Sequence, residues 1–217
     1  MEIWLDTSNL ELISEAHSMG ILYGVTTNPS IVKNSGLPFE KLLNNLLDAQ
    51  EGPVAAQVVA KDDWEMVQQG MRLHDLSKRI IVKVPANRAG YKCMHALVKK
   101  GVSVLATTIY EPKQALLSFI AGACYLAPYM GRIRDSGKDP NLVLKDILDI
   151  KRNYSLQAKI LGAGIRNIED MMFCAALGIC SITIPDRVFE TMISENAGVK
   201  KSLDEFSKDW SNTKQKE

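Results

Sequence analysis

The stretch Arg79-Ile80-Ile81-Val82-Lys83-Val84-Pro85 decides how the chain is read. It is a short β-branched apolar run, the composition of a strand. Helically patterned segments flank it, so it reads as a buried parallel strand rather than an edge. One lysine sits in its middle. A buried ammonium group is costly and tends to lose its proton. A neutral lysine in a dry site is a nucleophile toward carbonyl carbon. The competing reading is a gatekeeper lysine on a strand with one wet face. The seven residues alone leave both readings open.

Working outward toward the N-terminus, residues 54–60 form a strand carrying Gln57. Residues 21–25 form another, running into Thr26-Thr27-Asn28-Pro29-Ser30, and residues 2–5 a third, ending at Asp6. Toward the C-terminus, 102–106 is a strand ending in Thr107-Thr108, and 123–127 a strand followed by a turn at Pro128-Tyr129-Met130-Gly131-Arg132. Residues 134–141 are polar, contain Gly and Pro, and read as a loop. Strands at 158–161, before Gly162-Ala163-Gly164, and at 180–184 complete the set. Helical segments separate the strands. Ser8 or Asn9, Asn28 before Pro29, and Asp62 or Asp63 are candidate N-caps, and Gly101 closes a helix. A last helix covers about 198–210, and the lysine-rich tail after Asp209 reads as a frayed end.

The strands thus alternate with helices at intervals of roughly 20 to 30 residues, which implies right-handed crossovers and a parallel sheet. Eight such units in 217 residues without a linker argue for one α/β domain over 1–217. Its architecture is a closed (β/α)8 TIM barrel with an extra C-terminal helix and tail from about residue 197. A doubly wound open sheet is the alternative. In a barrel both strand faces are dry, one lining the interior and the other meeting the helices. Ile81, Lys83 and Pro85 share one face, so Lys83 reaches water only through the rim pocket. This moves the balance toward the functional reading.

Composition narrows the function classes. The chain is 46% hydrophobic and 24% charged, with net charge +1, which provides a core and no field for nucleic acid or an anionic membrane. No basic leader or long apolar segment occurs, and the four cysteines show no C-x-x-C spacing, so a cytoplasmic protein with reduced thiols is expected. His17, His74 and His95 all lie on predicted outer helices, so no metal site is expected. There is no G-x-S-x-G.

Function in a barrel belongs at the carboxyl ends of the strands. Those positions carry Asp6, Thr26, Asn28, Gln57, Lys83, Thr107, Tyr129, Arg132 and the segment Gly162 to Arg166. Each alone is an ordinary cap or turn former, and the set is harder to dismiss. Asp6 is a candidate partner for the buried lysine. Gly162-Ala163-Gly164-Ile165-Arg166-Asn167 imitates a dinucleotide fingerprint, but the third glycine is Asn167 and the run comes late in the chain. After a seventh strand the same glycines suit a phosphate site, with Arg132 and Arg166 adding charge.

Leu5-Asp6-Thr7-Ser8, Gly24 to Ser30, Ala56-Gln57-Val58, Val82 to Pro85 and Ala127-Pro128-Tyr129-x-x-Arg132 together resemble the small transaldolase family, nearest its fructose-6-phosphate aldolase branch. The resemblance runs in order over essentially the whole chain. It implies a class I aldolase without metal or organic cofactor, acting on sugar phosphates. It implies Schiff-base formation at Lys83, hydroxyl binding and proton transfer at Asp6, and Asn28 with Thr26 at the dihydroxyacetone end. Gln57 and Thr107 match positions that hold a catalytic water, Tyr129 an acid–base phenol, and Arg132 a residue at the phosphate end. Transaldolases proper tend to have Glu and Phe where this chain has Gln57 and Tyr129. The family's usual serine after the seventh strand is replaced by Gly164, followed by Ile165 and Arg166. The resemblance also implies a homo-oligomer, a pentamer or decamer.

Three rivals remain open. They are a transaldolase transferring the dihydroxyacetone unit, a non-catalytic sugar-phosphate-binding barrel, and a nicotinamide oxidoreductase.

Overall fold

A computed structural model of the chain describes residues 1–214. The strands are β1 (Glu2–Asp6), β2 (Leu22–Thr26), β3 (Val54–Gln57), β4 (Ile80–Pro85), β5 (Val104–Ile109), β6 (Tyr125–Pro128), β7 (Lys159–Gly162) and β8 (Ser181–Ile184). All neighbours are parallel, and β8 pairs with β1 to close the barrel. The helices are α1 (Leu10–Ser18), α2 (Pro29–Asn34), α3 (Phe39–Asp48), α4 (Asp63–Leu76), α5 (Arg88–Lys99), α6 (Pro112–Ile120), α7 (Met130–Asp135), α8 (Pro140–Asn153), α9 (Ile168–Ala176), α10 (Asp186–Ile193) and α11 (Ala197–Lys214). The closed barrel with its C-terminal helix is the architecture expected from the alternation, and the open-sheet alternative falls.

The phase of β4 divides the core in two. Ile81 joins Trp4, Leu105 and Leu161 in the barrel interior, while Ile80, Val82 and Val84 join the larger cluster between sheet and helices. Val82 packs toward α4 and α5, close to where Gly70 leaves room for Leu97. Trp4 is fully buried, and Gly24 on the adjacent strand makes this possible, since a Cβ there would lie 2.9 Å from the indole ring. At the amino ends of the strands the interior closes on Glu2, which accepts hydrogen bonds from Ser181 (2.6 Å) and Tyr125 (3.0 Å) and pairs with Lys159.

Three local expectations are corrected. The strand predicted over 54–60 leaves the sheet after Gln57, because Gln69 Oε1 takes the backbone N–H groups of Val59 and Ala60 (2.9 and 3.1 Å). Residues 130–135, predicted as turn and loop, form α7. Met130, Gly131 and Ile133 are buried, while outward-facing Arg132, Arg134 and Asp135 gave the segment its polar look. The tail predicted to fray after Asp209 stays helical to Lys214, and residues 215–217 lie outside the described part. Among the described residues no helix is long and apolar enough to cross a membrane.

Candidate active site

At the carboxyl ends of the strands a cavity of about 230 Å³ opens, lined by Lys83, Asp6, Thr26, Asn28, Tyr129 and Arg132, with the segment from Ala163 to Arg166 on its far side. Lys83 is 4% exposed, and its Nζ donates to the carbonyl of Thr27 at 2.6 Å. Burial drives its pKa below the ordinary lysine value, and the charge of Asp6 pulls it part of the way back. The lysine is therefore poised to give up its proton in a dry site beside a carboxylate.

That carboxylate is held by two side chains from the β2 end. Thr26 Oγ1 donates to Asp6 Oδ1 at 2.6 Å, and Asn28 Nδ2 donates to Oδ2 at 3.3 Å. Thr26 spends its proton on Asp6, so the Thr183 hydroxyl, 2.7 Å away, donates to Thr26. Asn28 serves two purposes. Its Oδ1 caps α2 by accepting from the N–H groups of Ser30 and Ile31 (3.0 and 3.1 Å), which turns Nδ2 toward Asp6 and the cavity. Pro29 at the first helical position fits the same geometry.

On the opposite wall the Tyr129 hydroxyl lies 2.8 Å from Thr107 Oγ1, which is fully buried. Burial raises the phenol's pKa, the Thr107 hydrogen bond lowers it, Asp6 raises it further and Arg132 offsets that, with a net rise. Tyr129 is thus a protonated donor at neutral pH. Tyr110 packs edge-on against its ring at 6.1 Å, and the Arg132 guanidinium lies 5.8 Å from the ring centre. The next residue after Thr107 is strained. Thr108 has φ of 57°, an outlier for a β-branched residue, tied down by its own hydroxyl on the Thr107 carbonyl and by Gln114 Nε2 on its carbonyl.

Two sequence-predicted residues stand apart from this group. Gln57 pairs in register with Lys83 and follows Ala55 on the inward alternation of β3, yet the residue borders a separate cavity with Phe39, Leu43 and Leu73 rather than the main one. Among the described residues its amide has no hydrogen-bond partner. Arg166 lines the main cavity but is bound bidentately by Asp135. Arg132 is exposed at the mouth and forms no salt bridge among the described residues. Gly164 has φ of 65°, and the backbone N–H groups of Gly164 and Ile165 find no partner among the described residues.

Sequence reasoning missed Thr183 and the backbone carbonyl of Thr27. Thr183 follows the inward alternation of β8, and its place near the carboxyl end of that strand is the signal the sequence carries. Burial pushes the thiols of Cys93 and Cys174 up to about 12. Among the described residues no cluster of His, Cys, Asp or Glu could hold a metal ion.

The family model for transaldolase/fructose-6-phosphate aldolase matches residues 3–217. The chain belongs to this family. It is 37% identical over 211 residues to a probable transaldolase of Coprothermobacter proteolyticus, covering 97% of each chain. It is 35% identical to a probable transaldolase of Syntrophomonas wolfei, covering 96% of this chain and 99% of the relative. A probable transaldolase 2 of Listeria monocytogenes is 33% identical over 217 residues, covering 100% and 99%. The protein is accordingly an enzyme of the aldolase and transaldolase class.

Proposed function

We propose that this enzyme is a class I aldolase that reversibly cleaves a ketose phosphate, such as fructose 6-phosphate, to dihydroxyacetone and glyceraldehyde 3-phosphate. The observation that carries this reading is Lys83, buried, depressed in pKa and set beside a fixed carboxylate. Its neutral amine attacks the C2 ketone, and loss of water gives an iminium ion. Asp6, held by Thr26 and Asn28, takes the proton of the C4 hydroxyl as the C3–C4 bond breaks. The electron pair of that bond passes into the iminium and forms an enamine, while the aldehyde leaves. Tyr129, backed by Thr107, supplies the proton at C3, and hydrolysis frees Lys83 and dihydroxyacetone. Gln57, the register partner of Lys83, holds the water of hydrolysis on this reading. The phosphate end meets Arg132 and the open N–H groups of Gly164 and Ile165, with no serine hydroxyl there. The site lies in the cytoplasm on this reading, and the chain works as a homo-oligomer, for which the apolar stripe Val199, Leu203 and Phe206 on α11 is exposed.

The relatives' names favour a second reading, transfer of the dihydroxyacetone unit to an acceptor aldose phosphate. Protonation by Tyr129 favours release of the free product. Borohydride reduction with fructose 6-phosphate should label the enzyme at Lys83, and covalent labelling of Lys83→Met would refute the assignment. Free dihydroxyacetone formed without an acceptor identifies the aldolase, and its absence together with transfer to erythrose 4-phosphate identifies the transaldolase.

A further inference from the structure

The rim beyond Tyr129 carries four arginines, and three of them are committed within the protein. Arg134 pairs with the buried carboxylate of Asp170 at 2.5 Å. Arg187 donates to the Arg166 carbonyl at 2.7 Å. Arg166 is the one that lines the cavity alongside Arg132, and its guanidinium is turned onto Asp135. The contact is bidentate, Nη1 to Oδ1 at 2.8 Å and Nη2 to Oδ2, which occupies the fork that would otherwise grip a phosphate. The backbone of Arg166 is pinned as well, since its N–H donates to Asp170 Oδ2 at 3.1 Å. The side chain lies flat across Gly131, where a Cβ would come within 2.6 Å of Nε. Asp135 follows on the same short helix as Gly131 and Arg132. Helix α7 therefore supplies a cation with no ion pair among the described residues, the gap for the second guanidinium and the carboxylate that captures it.

We infer that Asp135 is a positioning residue that withholds Arg166 from the anionic end of the substrate, so that one guanidinium, Arg132, serves that end. This rests on the placement of the substrate's far end proposed above. The consequence is a site that binds a phosphorylated aldehyde loosely and discriminates little against an unphosphorylated one. The pair is about half exposed, so the capture is weak and its removal has a modest effect.

The test reads binding rather than turnover. Glycerol 3-phosphate is titrated calorimetrically into wild type, Asp135→Asn and the double variant Asp135→Asn/Arg166→Met, at physiological ionic strength to screen long-range charge. Asp135→Asn should bind it roughly fivefold more tightly, the scale of one released exposed bidentate pair. The double variant should lose that gain. A gain of affinity is not what damage to a structural contact produces. Unchanged or weaker binding by Asp135→Asn, or a gain that survives the loss of Arg166, overturns the inference. Borohydride labelling of the same three proteins reports separately on Lys83. Failure to label with an intact binding pattern would sink the Schiff-base reading and leave Asp135 in its role.

Discussion

Replacing Thr26 by Val tests whether the Asp6 carboxylate, the proposed base, is held or merely present. The substitution keeps the branched shape and removes one hydroxyl, which is 1% exposed and stands at the centre of a chain from Thr183 through Thr26 to Asp6. Two hydrogen bonds are lost, one of them to a carboxylate. The Thr183 hydroxyl, only 5% exposed, is left without its acceptor. A charge-assisted bond is worth about 1.5–3 kcal/mol and a stranded buried hydroxyl costs about 1–3, so after partial relaxation the net cost is about 2 kcal/mol. For a chain of this size that lowers Tm by about 4–8 °C. Among the described residues Asp6 is then held only by Asn28 at 3.3 Å, a long contact that leaves the carboxylate free to turn. The value of kcat/KM for ketose cleavage should fall by about 10–100-fold, the range for displacing a general base. Borohydride labelling of Lys83 should persist, because the amine is not touched. Thr26→Ser, which restores the hydroxyl, should recover most of both losses. Wild-type Tm and kcat/KM in Thr26→Val would refute the argument that Thr26 positions Asp6.

Other expectations follow from the same contacts. Burial lowers the pKa of Lys83 below 10.5 and Asp6 resists that shift, so the acid limb of the pH profile for kcat/KM should move lower still in Asp6→Asn. A move to higher pH would contradict the electrostatics. The folded state binds its Lys83 proton more weakly than the unfolded chain, so burial of the ammonium costs most on the acid side and nothing above 10.5. The stability of Lys83→Met relative to wild type, from urea unfolding, should therefore decline as pH rises toward that value. Desolvation raises the pKa of Glu2, but its bonds to Lys159, Ser181 and Tyr125 together outweigh it and leave the value below 4.5. Glu2→Gln should thus cost about 1–3 kcal/mol at neutral pH, with the cost vanishing as acid protonates the wild-type carboxylate below 4.5. Gly164→Ser forces a side chain to a φ of 65°, which costs about 1–2 kcal/mol in chemical denaturation. The same hydroxyl at the cavity wall should lower KM for a phosphorylated aldehyde, and an unchanged KM would show that the phosphate lies elsewhere.

The barrel and its lysine were legible because both rest on local periodicity. Alternation within β4 fixed the inward face of Lys83 before any neighbour was known, and Asn28-Pro29 announced a helix start with an amide to spare. What escaped depends on the third dimension. Gln57 has the correct register, yet it borders a second cavity rather than the main one, and periodicity says nothing about where cavities open. Thr183 reads as an ordinary β-branched strand former, and only closure of β8 onto β1 brings it to Thr26. Short α7 was hidden by its own outward charges. Arg166 looked like an anion ligand because a guanidinium in a sequence shows no partner, and the structure supplies Asp135.

The packed interior beneath Lys83 makes the barrel a vessel with one opening. Trp4, Leu105 and Leu161 fill the section below the lysine, and each is at most 1% exposed. Arg132 marks the mouth and Lys83 the bottom, so on the proposed reading the two halves of a cleaved ketose sit one above the other. The outer aldehyde must depart before the inner three-carbon piece can follow, and in synthesis the inner piece must enter first. Product inhibition should consequently be ordered, with dihydroxyacetone competing against the ketose for the unoccupied enzyme and the aldehyde capturing the loaded one.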